Sequence, residues 1–98
     1  MRQRGFEYTL VNHLCRAVFT IPESNSSNLV KFKIYKASGN SVFLEGNAAY
    51  IVGINWKVEF IPTEKETYVV EIENITLDVK YTKIFKSVGI ISMAYGKS

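Results

Sequence analysis

From Trp56 to Ile72 the chain changes character at every second residue. Trp56, Val58 and Phe60 alternate with Lys57 and Glu59, and Tyr68, Val70 and Ile72 alternate with Val69, Glu71 and Glu73. A period of two belongs to an extended chain, whose side chains point by turns to a buried side and a wet one. A helix would scatter these apolar groups around its whole circumference, so the stretch reads as two strands. Pro62, which has no N–H to give to a ladder, ends the first. Thr63-Glu64-Lys65-Glu66 is then the surface connection to the second.

The same reading extends in both directions. Val30, Phe32 and Ile34 face one way and Lys31, Lys33 and Tyr35 the other, with Lys36 closing the polar side. Ala37-Ser38-Gly39-Asn40-Ser41 is a cluster of turn-formers in which Gly39 or Asn40 can take a positive φ, and Val42-Phe43-Leu44-Glu45 resumes the strand. Gly46-Asn47 marks a second turn, followed by an apolar run from Ala48 to Ile54, where Gly53 signals a bulge or a close backbone approach. Leu77, Val79 and Tyr81 alternate with Asp78, Lys80 and Thr82 and continue through Ile84 and Phe85 toward Gly89. This is the last long strand. The segment from Ser87 to Ser98 is read as a tail that adds an edge strand or, preferentially, reaches a neighbouring chain.

The N-terminal third allows two readings. Leu10, Val11, Leu14, Cys15 and Val18 lie on a helical stripe, but Cys15, Ala17, Phe19 and Ile21 alternate with Arg16, Val18 and Thr20 up to Pro22. A strand from about His13 to Ile21, preceded by a short one at Phe6 to Leu10, is the preferred reading. With turn signals every 8 to 12 residues, the expectation is an all-β chain of about seven antiparallel strands. Its 98 residues make one domain, residues 1–98, with an N-terminal arm over about 1–12 and a C-terminal tail over about 87–98.

Trp56-Lys57-Val58-Glu59-Phe60-Ile61-Pro62, a short polar loop and Thr67-Tyr68-Val69-Val70-Glu71-Ile72 together resemble a run found in immunoglobulin-like and fibronectin type III-like β-sandwiches. In those domains the run spans strands E and F. The resemblance implies a tyrosine corner at Tyr68, its hydroxyl bonding back to the backbone near the loop. It covers roughly Arg16 to Lys86 and implies a fold, with no catalytic or ligand-binding residue. Val70 stands where an antibody domain has its second cysteine, and Trp56 is too close to Tyr68 to be the tryptophan of strand C. The chain therefore looks like the disulfide-free sandwiches of bacterial surface proteins and small tailed-phage virion proteins, single domains that decorate or join a larger assembly.

Residue inventory bears on chemistry. One cysteine, Cys15, forms no internal disulfide, and Glu7, Asn12, His13 and Arg16 interrupt any apolar core of a signal peptide. No stretch is long and apolar enough for a membrane helix, so the expected location is the cytoplasm or a virion, with no membrane partner. Two sequons, Asn25-Ser26-Ser27 and Asn74-Ile75-Thr76, are read as chance. His13 and Cys15, two apart, would share a strand face, yet neither an orienting group nor further soft ligands accompany them, so no nucleophile pair and no metal site is expected. Glu64, Glu66, Glu71 and Glu73 read as solvated positions, and the six glycines are scattered singly, forming no phosphate loop. No cofactor and no enzymatic activity are expected.

Three function classes remain. The first is a structural or interaction module that associates with itself or another protein through sheet edges or the apolar tail, where Ile90 and Ile91 lie. The second is single-stranded nucleic-acid binding by an OB-like barrel, with Lys31, Lys33 and Tyr35 on one strand and Lys80, Lys83 and Lys86 on another. The net charge of +3 permits this without requiring it. The third is a carbohydrate or small-ligand module that stacks its ligand on Tyr35, Tyr50 or Trp56, although Trp56 shares its face with Val58 and Phe60 and reads as core.

Overall fold

The computed structural model describes residues 5–89, and these form eight strands and no helix. They are β1 (Glu7–Leu10), β2 (Cys15–Thr20), β3 (Val30–Lys36), β4 (Ser41–Asn47), β5 (Ala49–Val52), β6 (Asn55–Phe60), β7 (Thr67–Asn74) and β8 (Val79–Val88). One sheet has the order β1-β8-β7-β3-β4 and the other the order β2-β6-β5. The described residues are thus all-β, as expected, but with eight strands rather than about seven. Nor are all pairs antiparallel, because β1 runs parallel to β8, with Glu7 opposite Phe85 and Leu10 opposite Val88. The helical stripe of the N-terminal third is realised as strand instead: Cys15, Ala17 and Phe19 are buried and Arg16, Val18 and Thr20 exposed. No helix of the described residues is long and apolar enough to cross a membrane.

The alternating runs become the two walls of one core. Cys15, Ala17 and Phe19 of β2 with Trp56, Val58 and Phe60 of β6 face Val30 and Ile34 of β3, Tyr68, Val70 and Ile72 of β7 and Phe85 of β8. Aromatic rings join the sheets at one end, where Phe60 lies 5.6 Å from Tyr68 and 6.1 Å from Phe85, the latter edge-on. Such pairs add about 0.5–1.5 kcal/mol each beyond the burial of their area. Tyr68 is completely buried, and its hydroxyl accepts the backbone N–H of Thr63 at 3.2 Å. That bond ties the β6–β7 connection to the start of β7.

Two turns differ from the sequence expectation. Gly46 and Asn47 do not turn but extend β4, because pairing with Phe32 and Lys31 holds them in the ladder. Gly53, at φ +62°, forms the β5–β6 turn together with Ile54, and the irregularity in register lies between Tyr50 and Val52. Asn40 does take a positive φ, 52°, in the β3–β4 turn.

Among the described residues three polar ones are buried, and each is engaged. Ser24 donates its hydroxyl to the Ile21 carbonyl at 2.7 Å and accepts the Trp56 indole N–H at 2.9 Å. Asn74 donates from Nδ2 to Asn28 at 3.0 Å and accepts Leu77 N–H at 2.9 Å, fixing the turn from β7 into β8. Ser87 accepts the Glu66 N–H at 3.0 Å and donates toward the Glu64 carbonyl. Buried polar groups are tolerable only when paired in this way.

Candidate interaction surface

Residues opposite one another in an antiparallel ladder share a face, so register alone assembles the outer surface of the five-stranded sheet. Lys31 lies between Asn47 of β4 and Glu73 of β7, Lys33 lies between Glu45 and Glu71, and Lys80 of β8 follows Glu73. Tyr35 continues the β3 column. These side chains line a shallow cleft of about 430 Å³, with Phe32 and Gly46 completing it. Lys80 Nζ is 3.3 Å from Glu71 Oε2, a contact that raises the lysine's pKa, and the Tyr35 hydroxyl donates to Glu71 Oε1 at 3.3 Å.

The structure therefore does bring Lys31, Lys33, Tyr35 and Lys80 together, but among Glu45, Glu71 and Glu73, whose charges cancel theirs. Nucleic-acid backbones are held by an excess of positive charge, which this cleft lacks. Opposite charges directly across a ladder instead favour the observed register, by roughly 0.2–1 kcal/mol per pair.

Lys83 and Lys86 do not extend the patch. Lys83 is opposite Val70, on the core side of β8, with its Nζ 5.6 Å from the Phe19 ring centroid. Lys86 is opposite Thr67 and Tyr8, and its Nζ sits 4.4 Å over Phe6. Ile90 and Ile91 lie outside the described residues.

His13 and Cys15 are separated by their surroundings. His13 is exposed in the connection between β1 and β2, with Nδ1 3.1 Å from the Val11 carbonyl oxygen, whereas Cys15 is buried at the start of β2, where desolvation pushes its thiol pKa up. A raised pKa leaves less thiolate, the form that reacts. Among the described residues no group of three His, Cys, Asp or Glu side chains is placed to hold a metal ion. Trp56 is 3% exposed, under the edge-on ring of Tyr50 at 5.1 Å, and offers no stacking surface.

A different surface emerges at the sheet edges. β4 closes one side of the five-stranded sheet and β5 one side of the three-stranded sheet, and the chain passes between them through the single residue Ala48. Among the described residues nothing pairs with the outer side of either strand, and so short a crossing places both edges on one flank. Glu45 is the only charged residue between Lys36 and Lys57. On this flank Val42, Leu44, Ile51 and Val52 are exposed, Val52 by 62%. Edge strands expose unpaired backbone groups and are ordinarily guarded by charge or proline. The opposite flank also exposes Tyr8 and Val18 but carries charge on both edge strands: Arg16 on β2 pairs with Glu59 at 2.6 Å, which holds that carboxyl below its ordinary pKa, and β1 carries Glu7 beside a β8 bearing Lys86.

Sequence reasoning missed the β4–β5 flank because it put a turn at Gly46-Asn47 and read Ala48 to Ile54 as an apolar run. The gap in charge from Lys36 to Lys57 was the available signal. Compared with known proteins, the chain matches no protein-family model, no curated protein and no solved structure.

Proposed function

We propose that this chain is a non-catalytic immunoglobulin-like β-sandwich that serves as an interaction module, a subunit of a larger assembly such as a phage virion. The fold part is supported by strand order. Strands β2, β6 and β5 correspond to B, E and D of such domains, β8, β7, β3 and β4 to G, F, C and C′, and β1 to an N-terminal strand moved beside the last one. The Tyr68 hydroxyl, bonded to a backbone N–H five residues upstream, supports it further.

The observation that carries the interaction reading is the β4–β5 flank, with two open edges, exposed apolar side chains and one charge. A lone soluble domain gains nothing by leaving such edges unguarded, since they promote association. The virion setting rests on the resemblance to small disulfide-free sandwiches of that kind. Static light scattering of the full chain on size exclusion, from micromolar to millimolar, is the test. A mass above one chain that grows with concentration is expected, and a monomer at every concentration refutes the reading.

A further inference from the structure

We infer that the partner of the β4 edge is a second copy of this chain, paired antiparallel about a twofold axis through Gly46, so that two five-stranded sheets join into one. This rests on the assembly reading above and adds the edge, the partner and the register.

Hydrogen-bond direction picks out the free groups. Ala48 N–H bonds to the Val30 carbonyl at 3.0 Å, so Val30 and Ala48 form a hydrogen-bonded pair of the β3–β4 ladder. Such pairs alternate along an antiparallel ladder. Phe32–Gly46 and Ile34–Leu44 are the next bonded pairs, and Lys31–Asn47 and Lys33–Glu45 the unbonded ones. The N–H and C=O groups of Glu45 and Asn47 consequently point away from β3, to the open edge.

A twofold pairing must place like faces together, which limits the registers to those centred on one residue. Centring on Glu45 sets two carboxylates directly opposite. Centring on Leu44 runs into the irregularity where Ile34 faces Leu44 but Tyr35 faces Val42, leaving Phe43 as an extra residue. Centring on Gly46 avoids both. Glu45 of each copy then lies opposite Asn47 of the other, and each such pair exchanges both of its backbone hydrogen bonds. The Asn47 side-chain amide faces the Glu45 carboxylate on the outer surface, and Leu44 faces Ala48 on the inner one. The single charge of the flank thus meets a donor in the partner, in addition to Lys33 of its own chain.

Two variants of the full chain test this. In Asn47→Glu the new carboxylate faces Lys31 within its own chain, which favours the monomer fold, but faces Glu45 of the second copy. The two symmetry-related repulsions weaken self-association about tenfold, with no loss of thermal stability in the monomer. In Gly46→Cys the new side chain meets only the Phe32 ring, at 3.4 Å. It sits at an unbonded pair, where Cα atoms are roughly 4.5 Å apart, within disulfide reach, so mild oxidant links two chains through residue 46 while buried Cys15 stays free.

A cross-linked Gly46→Cys dimer together with a weakened Asn47→Glu dimer supports the pairing. A wild-type dimer that tolerates Asn47→Glu and yields no cross-link overturns it and leaves the assembly reading standing. A wild-type chain that stays monomeric overturns both.

Discussion

Ser24 is a small residue in a polar loop, and removing its hydroxyl should cost more stability than removing many larger exposed groups. Its Oγ accepts the indole N–H of Trp56 at 2.9 Å and donates to the Ile21 carbonyl at 2.7 Å. Ser24 is 5% exposed and Trp56 is 3% exposed, so water is a poor substitute for either. In Ser24→Ala the Ile21 carbonyl keeps the Ser24 backbone N–H at 3.1 Å, a position alanine also supplies. The indole N–H keeps nothing. Stranding a buried donor costs about 1–3 kcal/mol and the lost hydroxyl bond about 1, so the sum is roughly 2–4 kcal/mol. For a domain of this size that lowers Tm by roughly 10–20 °C. Urea unfolding followed by the emission of Trp56, the chain's one tryptophan, reads the loss. Trp56→Phe removes the stranded donor, so Ser24→Ala in that background, followed by circular dichroism, should cost only about 1 kcal/mol. Equal costs in the two backgrounds, or a single-variant cost below about 0.5 kcal/mol, would refute the reasoning.

Asn74→Ala removes a fully buried amide that bonds Asn28 and Leu77, and thermal unfolding should show a loss of about 2 kcal/mol. Glu66 accepts the Ser38 hydroxyl at 2.9 Å and the Ser38 N–H at 3.1 Å, and chiefly the former holds its carboxyl below the ordinary glutamate pKa. A depressed folded pKa gives stabilisation that is complete above the unfolded value and lost as pH falls through the folded one. The gap in urea midpoint between wild type and Glu66→Gln should therefore be widest at neutral pH and close in acid. Because Glu45, Glu71 and Glu73 neutralise Lys31, Lys33 and Lys80 in the cleft, the anisotropy of a labelled single-stranded oligonucleotide should stay flat on adding protein at low salt; a salt-sensitive rise would revive the nucleic-acid reading.

Alternation made β2, β3, β6 and β7 legible in the sequence, because each has one face against the core and one in water. The Tyr68 hydroxyl contact was legible for a different reason, as part of a run that resembles a known family. β4 and β5 were less legible, since burial there depends on whether the other sheet extends far enough to cover them, and that is a property of distant residues. Gly46 and Asn47 have turn-forming side chains, but the ladder with Lys31 and Phe32 outweighs that local preference. Lys83 and Lys80 look alike in a list of basic residues, yet an odd separation on a strand sends them to opposite faces. Ser24 and Asn74 carry no signal of their buried roles, because nothing local tells a polar residue that ends a strand from one that holds two loops together.

The parallel pairing of β1 with β8 has a mechanical consequence. The chain enters β1 on the Glu7 side and leaves β8 on the Val88 side, and the two strands point the same way. Tension applied through the flanking chain at both ends therefore drags β1 backward along β8, and their rungs are strained together instead of being unzipped in turn. A contact of four residue pairs, small in any account of stability, is where stretching this domain meets its first resistance.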